Sequence, residues 1–139
     1  MSELRLRRWI KRVMGHDVQW VEPSFGSEIG IPDTVLKFGF ADYPVELKWW
    51  PVGKAGQLKY HLRPAQIRYH TLAARKGKRT AIMYAVPLNE NNFAVIIIPG
   101  KNCKNPLCSV TELVGFEIEK PDCIYWRLRN LLANKEFWQ

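Results

Sequence analysis

Long apolar runs are missing from this chain: the longest, Phe93 to Pro99, is far too short to cross a bilayer. No apolar segment of signal-peptide kind stands near the start. Met1-Ser2-Glu3-Leu4-Arg5 leads straight into a basic amphipathic stretch, so a protein of the bacterial or phage-infected cytoplasm, with no membrane partner, is expected. Cysteine is scarce and odd in number (Cys103, Cys108 and Cys123), which argues against a disulfide framework. Cys103 and Cys108 with one further Cys and a His could form a zinc site. Their four-residue gap is loose, however, and with no second pair ordinary thiols are expected. Internal repeats and low-complexity tracts are absent as well.

Negative charge is also in short supply. Thirteen Asp and Glu face 21 Lys and Arg, a net charge of +8. That balance points to a polyanionic partner, nucleic acid before an anionic membrane surface. The 139 residues, 47% hydrophobic and 24% charged, suit one soluble domain, with a core over about residues 1–98 and a C-terminal extension over 99–139.

Ser2 is placed to cap a first helix, in which Leu4, Leu6, Ile10 and Val13 recur at helical spacing up to Gly15. Arg5, Arg8, Lys11 and Arg12 fall largely on its other side. Val18 to Val21 reads as a short strand and Pro23 to Gly30 as a loop. Thr34 to Phe40 and Pro44 to Trp50 read as strands turning at Ala41-Asp42-Tyr43. After a loop over Pro51 to Leu62, Pro64 opens a helix that Gly77 ends near Lys76. Thr80 to Pro87 and Phe93 to Pro99 are two more strands around Asn89-Glu90-Asn91-Asn92. Residues 101–120 have no clear pattern, and Asp122 is placed to cap a last helix carrying Ile124, Leu128, Leu131 and Leu132. The expected fold class is therefore α/β: a mixed central sheet with helices against it.

The chemistry concentrates in one place. Glu46 and Lys48 are two apart in a strand, so their side chains share a face, while Leu47 points into the core. Asp33 begins the preceding strand, and an antiparallel pairing would bring it within reach of the same cation as Glu46. Two carboxylates and the Leu47 carbonyl make a hard, all-oxygen partial shell suited to Mg²⁺. An adjacent ammonium can orient a water or neutralise a phosphorane-like transition state. The chemistry that such a grouping suits is hydrolysis of a phosphodiester.

Pro32-Asp33, twelve residues, then Glu46-Leu47-Lys48, in an expected α-β-β-β-α-β order, resembles the PD-(D/E)xK superfamily of restriction-endonuclease-like nucleases. The resemblance is nearest to stand-alone VRR-NUC domains and phage-type Holliday junction resolvases, and it covers roughly residues 1–98. Glu22, in Trp-Val-Glu-Pro, and Gln66, in Leu-Arg-Pro-Ala-Gln-Ile, stand where such proteins carry an accessory Glu and a helix Gln; Glu28 competes with Glu22. The resemblance implies Mg²⁺, with Mn²⁺ as a substitute, held by Asp33, Glu46 and the Leu47 carbonyl. Lys48 would position the attacking water, and Glu22 and Gln66 would support the site. It further implies a structure-specific DNA endonuclease on branched DNA, and symmetric cutting of two strands implies a homodimer.

Candidate DNA-binding cations are Arg8, Lys11 and Arg12 on the first helix, Lys54 and Lys59 in the loop, and Arg63, Arg68 and Lys78 along the second helix; Arg75, Lys76 and Arg79 are further candidates. Of Trp49 and Trp50, one must lie on the Glu46 face, in core packing or stacked on a base. His61 and His70 are expected at the surface or as helix caps. Two other readings stand beside the nuclease: a catalytically inactive DNA-binding module of the same fold, and a small interaction protein that binds an acidic partner. The intact Asp33, Glu46 and Lys48 weigh against the first, and the lack of a long apolar–basic helix with exposed bulky residues weighs against the second.

Overall fold

Among the described residues six strands form one sheet in the order β1 to β6, each neighbouring the next in sequence. The computed structural model describes residues 3–21, 30–50, 62–104 and 111–139. Along the chain these are α1 (Glu3–Met14), β1 (Val18–Trp20), β2 (Thr34–Phe38), β3 (Ala41–Trp49) and α2 (Pro64–Arg75). There follow β4 (Ala81–Asn89), β5 (Asn92–Pro99), β6 (Glu112–Phe116), α3 (Pro121–Ala133) and the short α4 (Lys135–Trp138). Strands β3 and β4 are parallel and every other neighbouring pair is antiparallel. A parallel pair needs a crossover, and α2 supplies it. The α/β sheet flanked by helices is the expected fold class.

Helix α1 buries Leu6, Trp9, Ile10, Val13 and Met14. Leu4 is 58% exposed, contrary to expectation. Two residues from Leu6 is about 200° around a helix, so the two cannot share a face, and Trp9 takes the place in the core. Arg5 also leaves the solvent side: its guanidinium makes a bidentate ion pair with Glu117 and lies 5.1 Å over the Phe93 ring. The β2–β3 turn is Gly39-Phe40, not Ala41-Asp42-Tyr43, because Phe38 pairs with Ala41. Gly39 takes φ +64°, which a two-residue hairpin turn requires and which glycine adopts without strain.

The two sheet faces carry separate cores. On one, Leu36, Tyr43, Val45, Leu47, Met83, Val95 and Ile97 pack against α1, α3 (Ile124, Leu128, Leu132) and Phe137. On the other, Ile82, Tyr84, Ile98, Trp50, Leu62 and Cys103 pack with Ile67 of α2. Glu46 alternates onto this second face. Residues 101–120, unpatterned in sequence, contain β6, whose pairing with β5 shifts register between Val95 and Ile96. Helix α3 is capped by the extended backbone of Lys120, with Pro121 in its first turn; Asp122 lies inside that turn and is not the cap. Of the cysteines, Cys103 is buried and Cys123 exposed, both free thiols; Cys108 lies outside the described residues. Among the described residues no helix is long and apolar enough to cross a membrane.

Candidate active site

Strand β2 ends its pairing with β3 at Thr34–Val45, so β3 runs on past it. Asp33 therefore precedes the ladder opposite Glu46, and both side chains alternate away from the Val45 and Leu47 core face. The Asp33 carbonyl accepts from Val21 N–H at 2.9 Å, which fixes this start of β2 against the end of β1. Trp50 N–H donates to Ala85 O, so the even-numbered backbone groups of β3 face β4. The Leu47 carbonyl, three residues earlier, faces the β2 side. There it would meet Pro32, which has no N–H to donate. The Leu47 carbonyl thus points to the Asp33 side of β3.

Helix α2 completes the group from above. Its N-cap, Arg63, is extended (φ −69°, ψ 153°) and Pro64 presets the first turn. Gln66 occupies the third helical position and its Oε1 accepts from Arg63 N–H at 2.9 Å. With the amide oxygen so engaged, the amide nitrogen faces the sheet and donates to Glu46 Oε1 at 2.7 Å. Lys48 Nζ stands 3.8 Å from the same oxygen. Gly30, at φ +77°, lets the segment before Pro32 touch α2: a Cβ there would overlap the Ala65 carbonyl. One close approach therefore holds both arms of the site.

Glu46 is only 6% exposed. Burial, then the nearby charge of Asp33, raises its pKa from 4.5 to about 7; Lys48 and Arg63 oppose this and Glu3 adds to it. A buried carboxylate beside a second carboxylate is short of positive charge. The donor set is all oxygen: Asp33, Glu46 and the Leu47 carbonyl. These residues fit a hard divalent cation, whose charge would offset the burial and the Asp33 repulsion that raise the pKa of Glu46. Among the described residues no cluster of three or more His, Cys, Asp or Glu could hold a metal ion.

Asp33, Glu46, Lys48 and Gln66 are brought together, with Arg63 beside them. Glu22 and Glu28, and the loop cations Lys54 and Lys59, lie outside the described residues, as does His61. Arg8, Lys11 and Arg12 belong to α1, against the opposite sheet face from Glu46, and Lys11 Nζ donates to Gly15 O. Arg68 and Lys78 lie along and just after α2. The candidate cations thus divide between two faces. Trp50 is a core residue, its ring edge-on to Tyr84 at 4.5 Å. His70 is neither at the surface nor a cap. It is fully buried, its Nδ1 2.8 Å from Thr80 Oγ1, and burial lowers its pKa to about 4, so it is a neutral core residue. Glu3, whose charge reaches Glu46 from the first turn of α1, carries no sign of this in the sequence, where it is an ordinary helix-start acid.

The chain matches no protein-family model, no curated protein and no solved structure.

Proposed function

We propose that this protein is a Mg²⁺-dependent DNA endonuclease acting on branched or otherwise structured DNA. The observation that carries the reading is the convergence on Glu46: Gln66 from α2 at 2.7 Å and Lys48 from its own strand at 3.8 Å, with Asp33 near enough to shift its titration. These come from three separate sequence elements, and a solvated strand face would not need a buried Gln to hold its carboxylate.

In this reading Asp33, Glu46 and the Leu47 carbonyl hold the cation, which when bound neutralises charge on the scissile phosphate. Lys48 donates a hydrogen bond that orients the attacking water towards phosphorus. As the new P–O bond forms, the attacking water gives up a proton to solvent, the ester P–O bond breaks, and the leaving alkoxide takes up a proton from solvent. Gln66 keeps Glu46 aimed through its 2.7 Å hydrogen bond. The net charge of +8 supplies backbone attraction without base readout, which agrees with recognition by shape. Cutting two strands symmetrically would take two copies, hence a homodimer in the cytoplasm.

Labelled duplex, single strand, flap and four-way junction DNA, with matched RNA, should be incubated with the protein in Mg²⁺ and in EDTA. Cleavage that needs Mg²⁺ and prefers a branched DNA supports the reading. Salt-dependent binding with no cutting in Mg²⁺ or Mn²⁺ would instead support a non-catalytic DNA-binding module.

A further inference from the structure

Beside the site, on the flank of α2 that turns away from the sheet, lies a cavity of about 450 Å³. Its floor is apolar: Ile31, the Tyr69 ring and Leu72. Its rim carries Arg68, Lys76 and Lys78, and no acidic residue is among the described residues lining it. The helical positions 65, 68, 69, 72 and 76 recur every three or four residues, so one helix face makes the wall. Gln66 and His70 lie on the adjoining, buried flank of α2, where Gln66 bonds Glu46 and His70 meets Thr80.

We propose that this cavity receives one unpaired nucleotide of the DNA substrate, its base against Tyr69 and Leu72 and its phosphate among Arg68, Lys76 and Lys78. The size is that of small-ligand pockets, and an apolar aromatic floor with a cationic rim matches a base joined to a phosphate. Position strengthens the argument. Ile31 is two residues before Asp33, and Ala65, also in the lining, directly precedes Gln66, so a nucleotide seated here borders the scissile site. A paired base has both its faces in the stack and cannot enter. The pocket would thereby select DNA with an unpaired nucleotide next to the cut, a preference that rests on the nuclease reading for its purpose but not for its detection.

Binding should be measured in EDTA, by fluorescence anisotropy, with a labelled duplex bearing a short unpaired flap, the same duplex flush-ended, and the flap with abasic residues replacing its bases. The wild-type chain should bind the flap about tenfold more tightly than the flush or abasic DNA. Leu72→Glu, a change at an exposed position, should bring the flap-to-flush ratio close to one, and Arg68→Ala should lower it. Equal binding of flap and abasic flap by the wild type, or an unchanged ratio in Leu72→Glu, would overturn the proposal. No cutting is involved, so a protein that fails to cleave DNA in Mg²⁺ can still pass or fail this test.

Discussion

Gln66 Nε2 donates to Glu46 Oε1 at 2.7 Å, across from the first turn of α2 to the middle of the sheet. The same Gln amide oxygen accepts from Arg63 N–H, so one side chain both caps the helix and holds the carboxylate. Replacing Gln66 by Leu removes the donor and leaves a buried carboxylate oxygen facing apolar carbon. Activity or metal affinity should fall about 10- to 100-fold, as for other residues that orient a metal ligand. Cleavage rates against Mg²⁺ concentration check this; unchanged rates with normal metal affinity would make Gln66 a helix cap alone.

The stability of the protein should carry two opposed titrations. Glu46, with its pKa raised to about 7, contributes stability that is full below about 4.5 and lost as pH rises through 7. His70, with its pKa lowered to about 4, contributes stability present above about 6.5 and lost as pH falls through 4. In the shared window between about pH 4.5 and 6.5 the two slopes oppose each other. Glu46→Gln should therefore raise stability at pH 8 by on the order of 3 kcal/mol, at about 1.4 kcal/mol per pH unit of pKa shift. It should also unmask a rise in stability with pH from about 4 to about 6.5. Urea unfolding of both proteins across that range reads the slopes directly.

Much of this was legible in the sequence. Alternation over residues 45–49 marks β3, the β-branched and aromatic residues of 34–38 mark β2, and the Pro64 start and Gly77 stop delimit α2 almost to the residue. Pro44 does not break β3 because it lies one residue before the β4 ladder begins at Val45–Ala81. Local signals fail where tertiary context chooses. The turn-forming Asp42 draws the expected hairpin turn away from Gly39-Phe40. Strand β6 is five residues long and pairs through a bulge, too little for a pattern to register. Arg5 reads in sequence as one more surface cation, but its partner Glu117 is 112 residues away. Glu3 bears on the titration of Glu46 only through the placing of α1.

A divalent cation should stabilise the wild type more at pH 8 than at pH 5, because at pH 5 it must first displace the proton on Glu46. At a Mg²⁺ concentration of about 100 times Kd the gain should approach about 2.7 kcal/mol, a melting shift of several degrees. Asp33→Asn and Glu46→Gln should each abolish most of the shift. A wild-type melting temperature indifferent to Mg²⁺ and Mn²⁺ at both pH values would leave the carboxylate pair without its proposed ion.

The two groups of cations, on opposite sheet faces, can be told apart by salt. Removing one side chain that neutralises a DNA phosphate lowers the log–log salt slope by about 0.9. If DNA lies along α1, replacing Arg8, Lys11 and Arg12 together by Ala should lower the slope by about 2.7. If it lies along α2, that variant should keep the wild-type slope, and replacing Arg68, Lys76 and Lys78 by Ala should lower it instead. The position of Glu46, on the α2 face, predicts the second result.

The most direct test of the account is cleavage of a labelled branched DNA by the wild type and by Lys48→Ala, in Mg²⁺ and in EDTA. Lys48 sits 3.8 Å from Glu46 and belongs to no core cluster, so the variant should fold and still bind DNA. The account predicts Mg²⁺-dependent cutting by the wild type, none in EDTA, and a drop of at least about 100-fold in Lys48→Ala. Full activity in Lys48→Ala, or no cutting of any DNA by the wild type with Mg²⁺ or Mn²⁺, would contradict it.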